Sequence, residues 1–244
     1  MKLVSFNVHN GFEDYENAFD DALSWLKLVQ PDIVCFQEMT WRFFSLGDFQ
    51  RKVYSTLGFK HFSYGSTSNI YGNGFYGQVT CSRIQISAVF NLYLPRNPGK
   101  SERRSCLIVK LANGLTIANT HLDPKQTAEE LRLSQIQAID RHLGKWDLFP
   151  ALLCGDFNAV RKQEAPPGVS TKALSWLQTR RGGVKDAMDL VGKRATRSHR
   201  KFPVRLDFCF VLDQHKQLVV SDASVPYVEF SDHLPIIVTF DVKR

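Results

Sequence analysis

The chain has 244 residues, 43% hydrophobic, 12% aromatic and 23% charged, a composition that excludes a disordered or low-complexity polymer and suits one domain over 1–244. No stretch approaches the roughly 18 apolar residues of a membrane span, and the N-terminal apolar run is too short for a signal-peptide core, so a cytoplasmic protein with no transmembrane segment is expected. The formal net charge of +7 favours polyanionic partners.

Leu3–Val8 is apolar enough to be a strand buried on both faces. A helix is predicted over 15–29, where Phe19, Leu23, Leu26 and Val29 recur at helical spacing and Pro31-Asp32 ends it. Ile33–Gln37 is a second buried strand, which delivers Glu38 at its C-terminal end. Further strands are predicted at 59–64, 76–82, 86–94, 105–111, 115–121, 150–155, 207–212, 217–222 and 235–241. A second helix starts near Thr127-Ala128-Glu129-Glu130, which matches a capping box, and its apolar stripe is Leu133, Ile136, Ile139 and Leu143. Many strands, few helices and hairpin links such as Ala112-Asn113-Gly114 suggest two mainly antiparallel sheets packed together, with helices outside. The five cysteines, at 35, 81, 106, 154 and 209, lie in apolar runs without a Cys-x-x-Cys pair, so buried reduced thiols are expected rather than a disulfide or zinc framework.

Asn7, Glu38, His121, Asp156, Asn158, Asp207, Asp232 and His233 all fall in or just beyond apolar strands. Strand ends converge at the rim of a sandwich, and several carboxylates gathered there repel one another unless a cation joins them. Oxygen donors suit a hard divalent ion, Mg²⁺ or Mn²⁺. In Gly155-Asp156-Phe157-Asn158, an extended chain would point Asp156 and Asn158 to the same side, where the carboxylate accepts a proton from water and the carboxamide holds the water. In Ser231-Asp232-His233, the imidazole suits a phosphate contact, and Asp207 offers the carboxylate that would fix its tautomer.

Taken in order, Asn7, Gln37-Glu38, Thr120-His121-Leu122, Gly155-Asp156-Phe157-Asn158, Arg205-Leu206-Asp207 and Ser231-Asp232-His233 resemble the motifs of the endonuclease/exonuclease/phosphatase superfamily. The resemblance implies a four-layer α/β/β/α sandwich and a metal-dependent phosphohydrolase. It makes Glu38 the principal Mg²⁺ ligand, with Mn²⁺ a possible substitute, and places Asn7 and Asp232 near the metal or its waters. It gives Asp156, supported by Asn158, the attacking water, and gives His233, paired with Asp207, the scissile phosphate. His121 takes a position from which the family contacts phosphate. Two departures stand out. His9 occupies a position where apurinic endonucleases carry a metal-assisting Asp, and Gln78 stands where the family has a substrate-facing Asn. Arg104, in Glu102-Arg103-Arg104, matches a phosphate-contacting arginine.

For the substrate, the aromatic stretch Trp41–Phe44 and the Gly-, Asn- and aromatic-rich loop Tyr64–Tyr76 serve to stack on bases, to enter lipid, or, for Phe43 and Phe44, to fill core. The basic loop 194–201, with Arg197 and Arg200, precedes the Asp207 motif and would grip a nucleic-acid backbone. A nuclease or DNA-end-processing phosphodiesterase, monomeric and bound to nucleic acid, is the leading expectation. A phospholipid or phosphoinositide phosphohydrolase on an anionic lipid surface is the alternative.

Overall fold

A computed structural model describes residues 1–12, 17–40, 46–70, 74–99, 102–180, 184–190 and 204–243. Its first sheet runs β11 (Leu218–Ser224), β12 (Ile236–Val242), β1 (Lys2–Asn7), β2 (Ile33–Thr40), β4 (Gly74–Ser82) and β3 (His61–Ile70). The second runs β5 (Ile86–Tyr93), β6 (Ser105–Leu111), β7 (Thr116–His121), β8 (Ala151–Asp156), β10 (Asp207–Leu212) and β9 (Lys185–Asp186). In each sheet a single parallel pair, β1 with β2 and β7 with β8, sits among antiparallel neighbours. Parallel neighbours need a crossover. Here the crossovers carry α1 (His9–Phe12), a single turn of left-handed residues, with α2 (Ala18–Val29), and α4 (Glu129–Lys145).

Alternation along the strands sorts their side chains into separate layers. In β1, Val4 and Phe6 face outward and pack with Leu23 and Leu26 of α2 and with Phe49 and Val53 of α3 (Leu46–Leu57). Leu3 faces inward and meets Leu107, Ile117, Leu152 and Cys209 of the other sheet. On the far side, Leu153, Phe208 and Phe210 pack with Ile136, Ile139 and Leu143 of α4 and with Leu174 and Leu177 of α5 (Lys172–Thr179). The result is an α/β/β/α sandwich, as expected. Each fully buried Leu or Phe contributes about 1.5–3 kcal/mol to holding these layers.

Several expectations need correction. The helix expected over 15–29 forms over Ala18–Val29, and residues 15 and 16 lie outside the described ones. Thr127 does not cap α4: its N-cap is Ala128, without a side-chain cap. The carboxylates are used elsewhere, since Glu129 accepts from the Ala173 backbone N–H at 2.8 Å and pairs with Arg132, while Glu130 pairs with Lys172. The Tyr64–Tyr76 segment is largely the β3–β4 hairpin rather than a loop; 71–73 and Trp41–Phe44 lie outside the described residues. Besides two four-residue helical turns, two longer helices among the described residues escaped the sequence reading. One, α5, has only eight residues, too few for its period to stand out. The other, α3, does carry Phe49, Val53 and Leu57 at helical spacing, but follows an aromatic run.

Between α5 and β10 lies a short stretch with β9 and α6 (Ala187–Leu190). Asp186 there is fully buried and pairs with Arg205 at 2.8 Å and Arg161 at 3.3 Å. Arg205 also stacks over Phe208 and bonds Glu164, which anchors the backbone just before Asp207. All five cysteines are buried and free, and burial pushes the Cys81 and Cys106 thiols well up. Among the described residues, no helix is long and apolar enough to cross a membrane.

Gly155 is the tightest point of β8. Its φ is +134°, and a Cβ there would lie 1.9 Å from the Thr120 carbonyl oxygen of β7. Gly155→Ala is therefore expected to destabilise the protein by about 2–4 kcal/mol, read as a lowered midpoint in urea unfolding. The five thiols should stay silent toward a thiol reagent until urea unfolds the chain, and then react together.

Candidate active site

The strand registers set the site. His121 lies opposite Asp156 in the β7–β8 pair, and Asp156 lies opposite Asp207 in the β8–β10 pair. Three chemically active side chains thus stand abreast on adjacent strands. They continue the inward-facing rows of Ile117, of Leu152 and Cys154, and of Cys209, because side chains repeat every second residue. On the opposing sheet, Asn7 ends the inward row that begins at Leu3. Glu38 would alternate outward, but β2 breaks register between Phe36 and Met39, and Glu38 takes a left-handed φ of 59°. That bulge turns its carboxylate toward the site. Asp232 and His233 come from the segment entering β12, where Ser231 Oγ donates to the Asn7 carbonyl at 2.8 Å.

The contacts converge on Asp156. Asn7 Nδ2 donates to Asp156 Oδ2 at 3.1 Å and to Glu38 Oε1 at 3.0 Å. His121 Nε2 and His233 Nε2 lie 3.6 and 3.7 Å from the same Asp156 oxygen. Burial, reinforced by the nearby Asp207 charge, pushes the Asp156 carboxyl up to about 7. The two histidines separate in the opposite sense. Burial, with Arg104 and His233 adding positive charge, lowers His121 well below the usual imidazole range. Burial opposes charge on His233 too, but Asp207, 2.8 Å from Nδ1, together with Asp156 and Asp232, outweighs it and raises His233 to about 10. Arg104 Nη1 lies 3.0 Å from Nδ1 and 3.3 Å from Nε2 of His121, so a neutral ring offers it an acceptor nitrogen.

Several sequence expectations are changed by this geometry. Asp156 and Asn158 do not share an extended side: Asn158 has φ 47°, its backbone N–H donates to Asp156 Oδ1 at 2.8 Å, and its amide donates to the Leu122 carbonyl. Asn7, expected near the metal or its waters, stands beside Glu38 and Asp156: its NH₂ donates to both carboxylates and its oxygen accepts from the His9 backbone N–H. Gln78, expected to face substrate, is engaged within the sandwich. It is buried between the sheets, accepting from Ser105 Oγ at 2.8 Å and donating to the Ser105 carbonyl at 3.3 Å. Arg104 is at the site but buried, held by His121 and by Glu102 at 2.9 Å. Arg197 and Arg200, with the whole loop 194–201, lie outside the described residues.

Three features were not found from sequence. Tyr76 packs against His121 and Arg104, its hydroxyl pushed well up by burial and by Glu38. Gln37 Nε2 donates to Asn119 Oδ1 across the sheets at 2.8 Å, tying the two strands that deliver Glu38 and His121. His9 Nδ1 stands 3.1 Å from Asp232 Oδ1. An inward-facing amide on each of two buried strands was the available signal for the second; His9 stood out as a departure from the family pattern, but nothing linked it to Asp232, and the first carried no signal.

A divalent cation fits here. Ligand atoms of Glu38, His121 and Asp156 lie within 4.8 Å of one another, and Asp232 Oδ1 is buried with no hydrogen-bond partner. A second group, Asp156, Asp207 and His233, is equally close, but the Asp207–His233 bond occupies it.

Residues 4–233 match the model of the Endonuclease/Exonuclease/phosphatase family. No curated protein matches the sequence. Among solved structures, an endonuclease/exonuclease/phosphatase from Beutenbergia cavernae superimposes with a TM-score of 0.80 at 20% identity, over 100% of this chain and 72% of that one. The human Nocturnin catalytic domain with bound sulfate gives 0.77 at 18%, over 100% and 93%. The mannosyl-6-phosphatase of Bacteroides thetaiotaomicron gives 0.72 at 15%, over 98% and 99%. At these identities the likeness is one of fold.

The raised pKa of His233 has a measurable sign. Its stabilising contribution is complete below about 6.5 and is lost as pH rises through about 10. In metal-free protein, imidazole NMR signals of His233 should remain those of the imidazolium at pH 8. Asp207→Asn should bring that titration down; an unchanged midpoint would break the assignment of Asp207 as its main partner.

Proposed function

The chain belongs to the endonuclease/exonuclease/phosphatase family, whose members are phosphoric ester hydrolases, and on that premise we propose that it is a metal-dependent phosphodiesterase acting on nucleic acid, as a nuclease or DNA-end-processing enzyme. The observation that carries the hydrolytic reading is Asp156, a buried carboxyl near neutral pKa with histidines of opposite protonation state on either side.

A general base works best when its pKa lies near the working pH. Asp156 meets that condition and takes the proton of the attacking water at Oδ2, the oxygen that Asn7 orients. The His233 imidazolium, held by Asp207, donates from Nε2 to a phosphate oxygen and offsets the charge that grows there. Neutral His121 offers its N–H to the same phosphate, with Arg104 behind it supplying fixed positive charge. Glu38 and Asp232 are the carboxylates that would hold a hard divalent ion, Mg²⁺ or Mn²⁺, whose charge when bound stabilises the leaving oxygen.

The net charge of +7 supports a polyanionic substrate, since each phosphate neutralised by Lys or Arg adds salt-dependent affinity. A second reading, hydrolysis of a phosphomonoester on a small or lipid head group, is favoured by the fold shared with a mannosyl-6-phosphatase.

A panel of single- and double-stranded DNA, RNA, abasic and phosphotyrosyl DNA, inositol phosphates and sugar phosphates, each with Mg²⁺, Mn²⁺ or EDTA, separates these readings. Nucleic-acid cleavage that EDTA abolishes and salt weakens is expected. Asp156→Asn should lower kcat by about 10²–10⁴ and His233→Ala by about 10²–10³, with folding retained. Hydrolysis confined to monoesters would select the second reading, and activity indifferent to EDTA and both substitutions would overturn the mechanism.

A further inference from the structure

The row of side chains that holds Asp207, Asp156 and His121 does not stop at the site. The β6–β7 register, which pairs Cys106 with Thr120, sets Ser105 opposite His121 one step on. Ser105 in turn lies opposite Tyr93, the last residue of β5, and β5 is the edge strand of that sheet. Residues directly opposite one another share a face, so the row from Asp207 to Tyr93 faces inward throughout. Asn91, two residues before Tyr93, confirms the direction: its Nδ2 donates to the Ser66 carbonyl of the facing sheet at 2.9 Å. The first four members of the row are buried, whereas Tyr93 is 54% exposed. It stands two strand spacings from His121, roughly 10 Å.

Two consecutive arginines accompany that step outward. Arg104 is buried, reaches His121 and lies over the Tyr76 ring of the facing sheet. Arg103 is exposed, and its guanidinium lies 5.3 Å from the centroid of the Tyr93 ring. The first pair packs the site; the second meets solvent and adds little to the core. An exposed ring with a cation beside it matches the two parts of a nucleotide, a π face for the base and a positive charge for the phosphate. Bases within a duplex are already stacked, so only an unpaired base has a face to give. A ring flanked by Asn91 and Arg103 offers stacking rather than the contiguous apolar surface by which proteins enter lipid.

We propose that Tyr93 and Arg103 form a subsite for an unpaired nucleotide next to the scissile phosphate, with the base stacked on Tyr93 and Arg103 meeting its phosphate. The substrate strand then runs along the row, from His121 across the small Ser105 to the open edge of the sheet. This rests on the nucleic-acid reading proposed above and narrows its substrate to single strands and frayed ends, rather than intact duplex.

Single-stranded oligonucleotides carrying 2-aminopurine at successive positions, mixed with the full chain in EDTA, test the subsite without turnover. Stacking should quench the label in wild type and in Tyr93→Phe. Tyr93→Ala should lose the quenching and bind about tenfold more weakly. Arg103→Gln should weaken binding and reduce the salt slope by about one. If Tyr93→Ala fails to fold, photocross-linking of a 5-iodouracil oligonucleotide to wild type, mapped by mass spectrometry, carries the test: a cross-link at Tyr93 is expected. Quenching absent from wild type or undiminished in Tyr93→Ala, cross-links only elsewhere, or blunt-duplex binding equally dependent on Tyr93 would each overturn the proposal. Tyr93-dependent binding to phosphatidylserine vesicles without quenching would assign the pair to a membrane surface and overturn it too. Tyr93-dependent quenching by a protein that hydrolyses no nucleic acid would sink only the functional reading. Nucleic-acid hydrolysis without such quenching would sink only this one.

Discussion

One amide nitrogen, Asn7 Nδ2, donates to Glu38 on its own sheet and to Asp156 on the facing sheet, and the geometry of the rim depends on that shared donor. Two carboxylates brought together away from water repel each other and lose hydration, at a cost of several kcal/mol if nothing compensates. A neutral donor between them removes part of the repulsion without consuming either charge. The rest of the compensation is uneven. Asp156 responds by holding its proton up to about neutral pH, and Asp232 Oδ1 is left unsatisfied. Both are conditions that a bound cation relieves.

The same electrostatics divides the histidines. His121 and His233 are both buried and flank one carboxylate oxygen, so burial alone would make both neutral. Their outer partners decide otherwise. Arg104 behind His121 adds positive charge and needs an acceptor, while Asp207 behind His233 adds negative charge and needs a donor. The surroundings thus favour the neutral form of one imidazole and the cation of the other. This assignment depends on the β8–β10 register, which sets Asp207 beside Asp156.

The interior of the sandwich is graded along its strands. At one end the inward rows are Leu3, Ile117, Leu152 and Val211; at the other they become Asn7, His121, Asp156 and Asp207. Apolar packing supplies the stability, and the polar end uses some of it. The left-handed residues His9, Asn10, Glu38 and Asn158 all lie at that polar end, next to the groups they aim. Gln37 and Asn119 mark the change between the two regimes, bonded to each other across the sheets.

Much of this was legible in the chain. Buried strands such as Leu3–Val8 and Ile33–Gln37 announce themselves by unbroken apolar character, and the carboxylates at their ends stand out because a charge is costly there. Those local signals pointed to the layers and to the gathering of Glu38, Asp156, Asp207, Asp232 and His233 at one rim. The sequence could not place Gln78, because a glutamine at a strand position reads the same whether it faces substrate or a Ser105 hydroxyl on the next sheet. Nor could it turn Glu38 inward, since a bulge exists only in the pairing of two strands, or join His9 to Asp232 across a separation of more than two hundred residues. Composition and period are properties of a segment and survive in the linear chain. Register, bulges and protonation states are properties of neighbours, and only the packed sheets decide who the neighbours are.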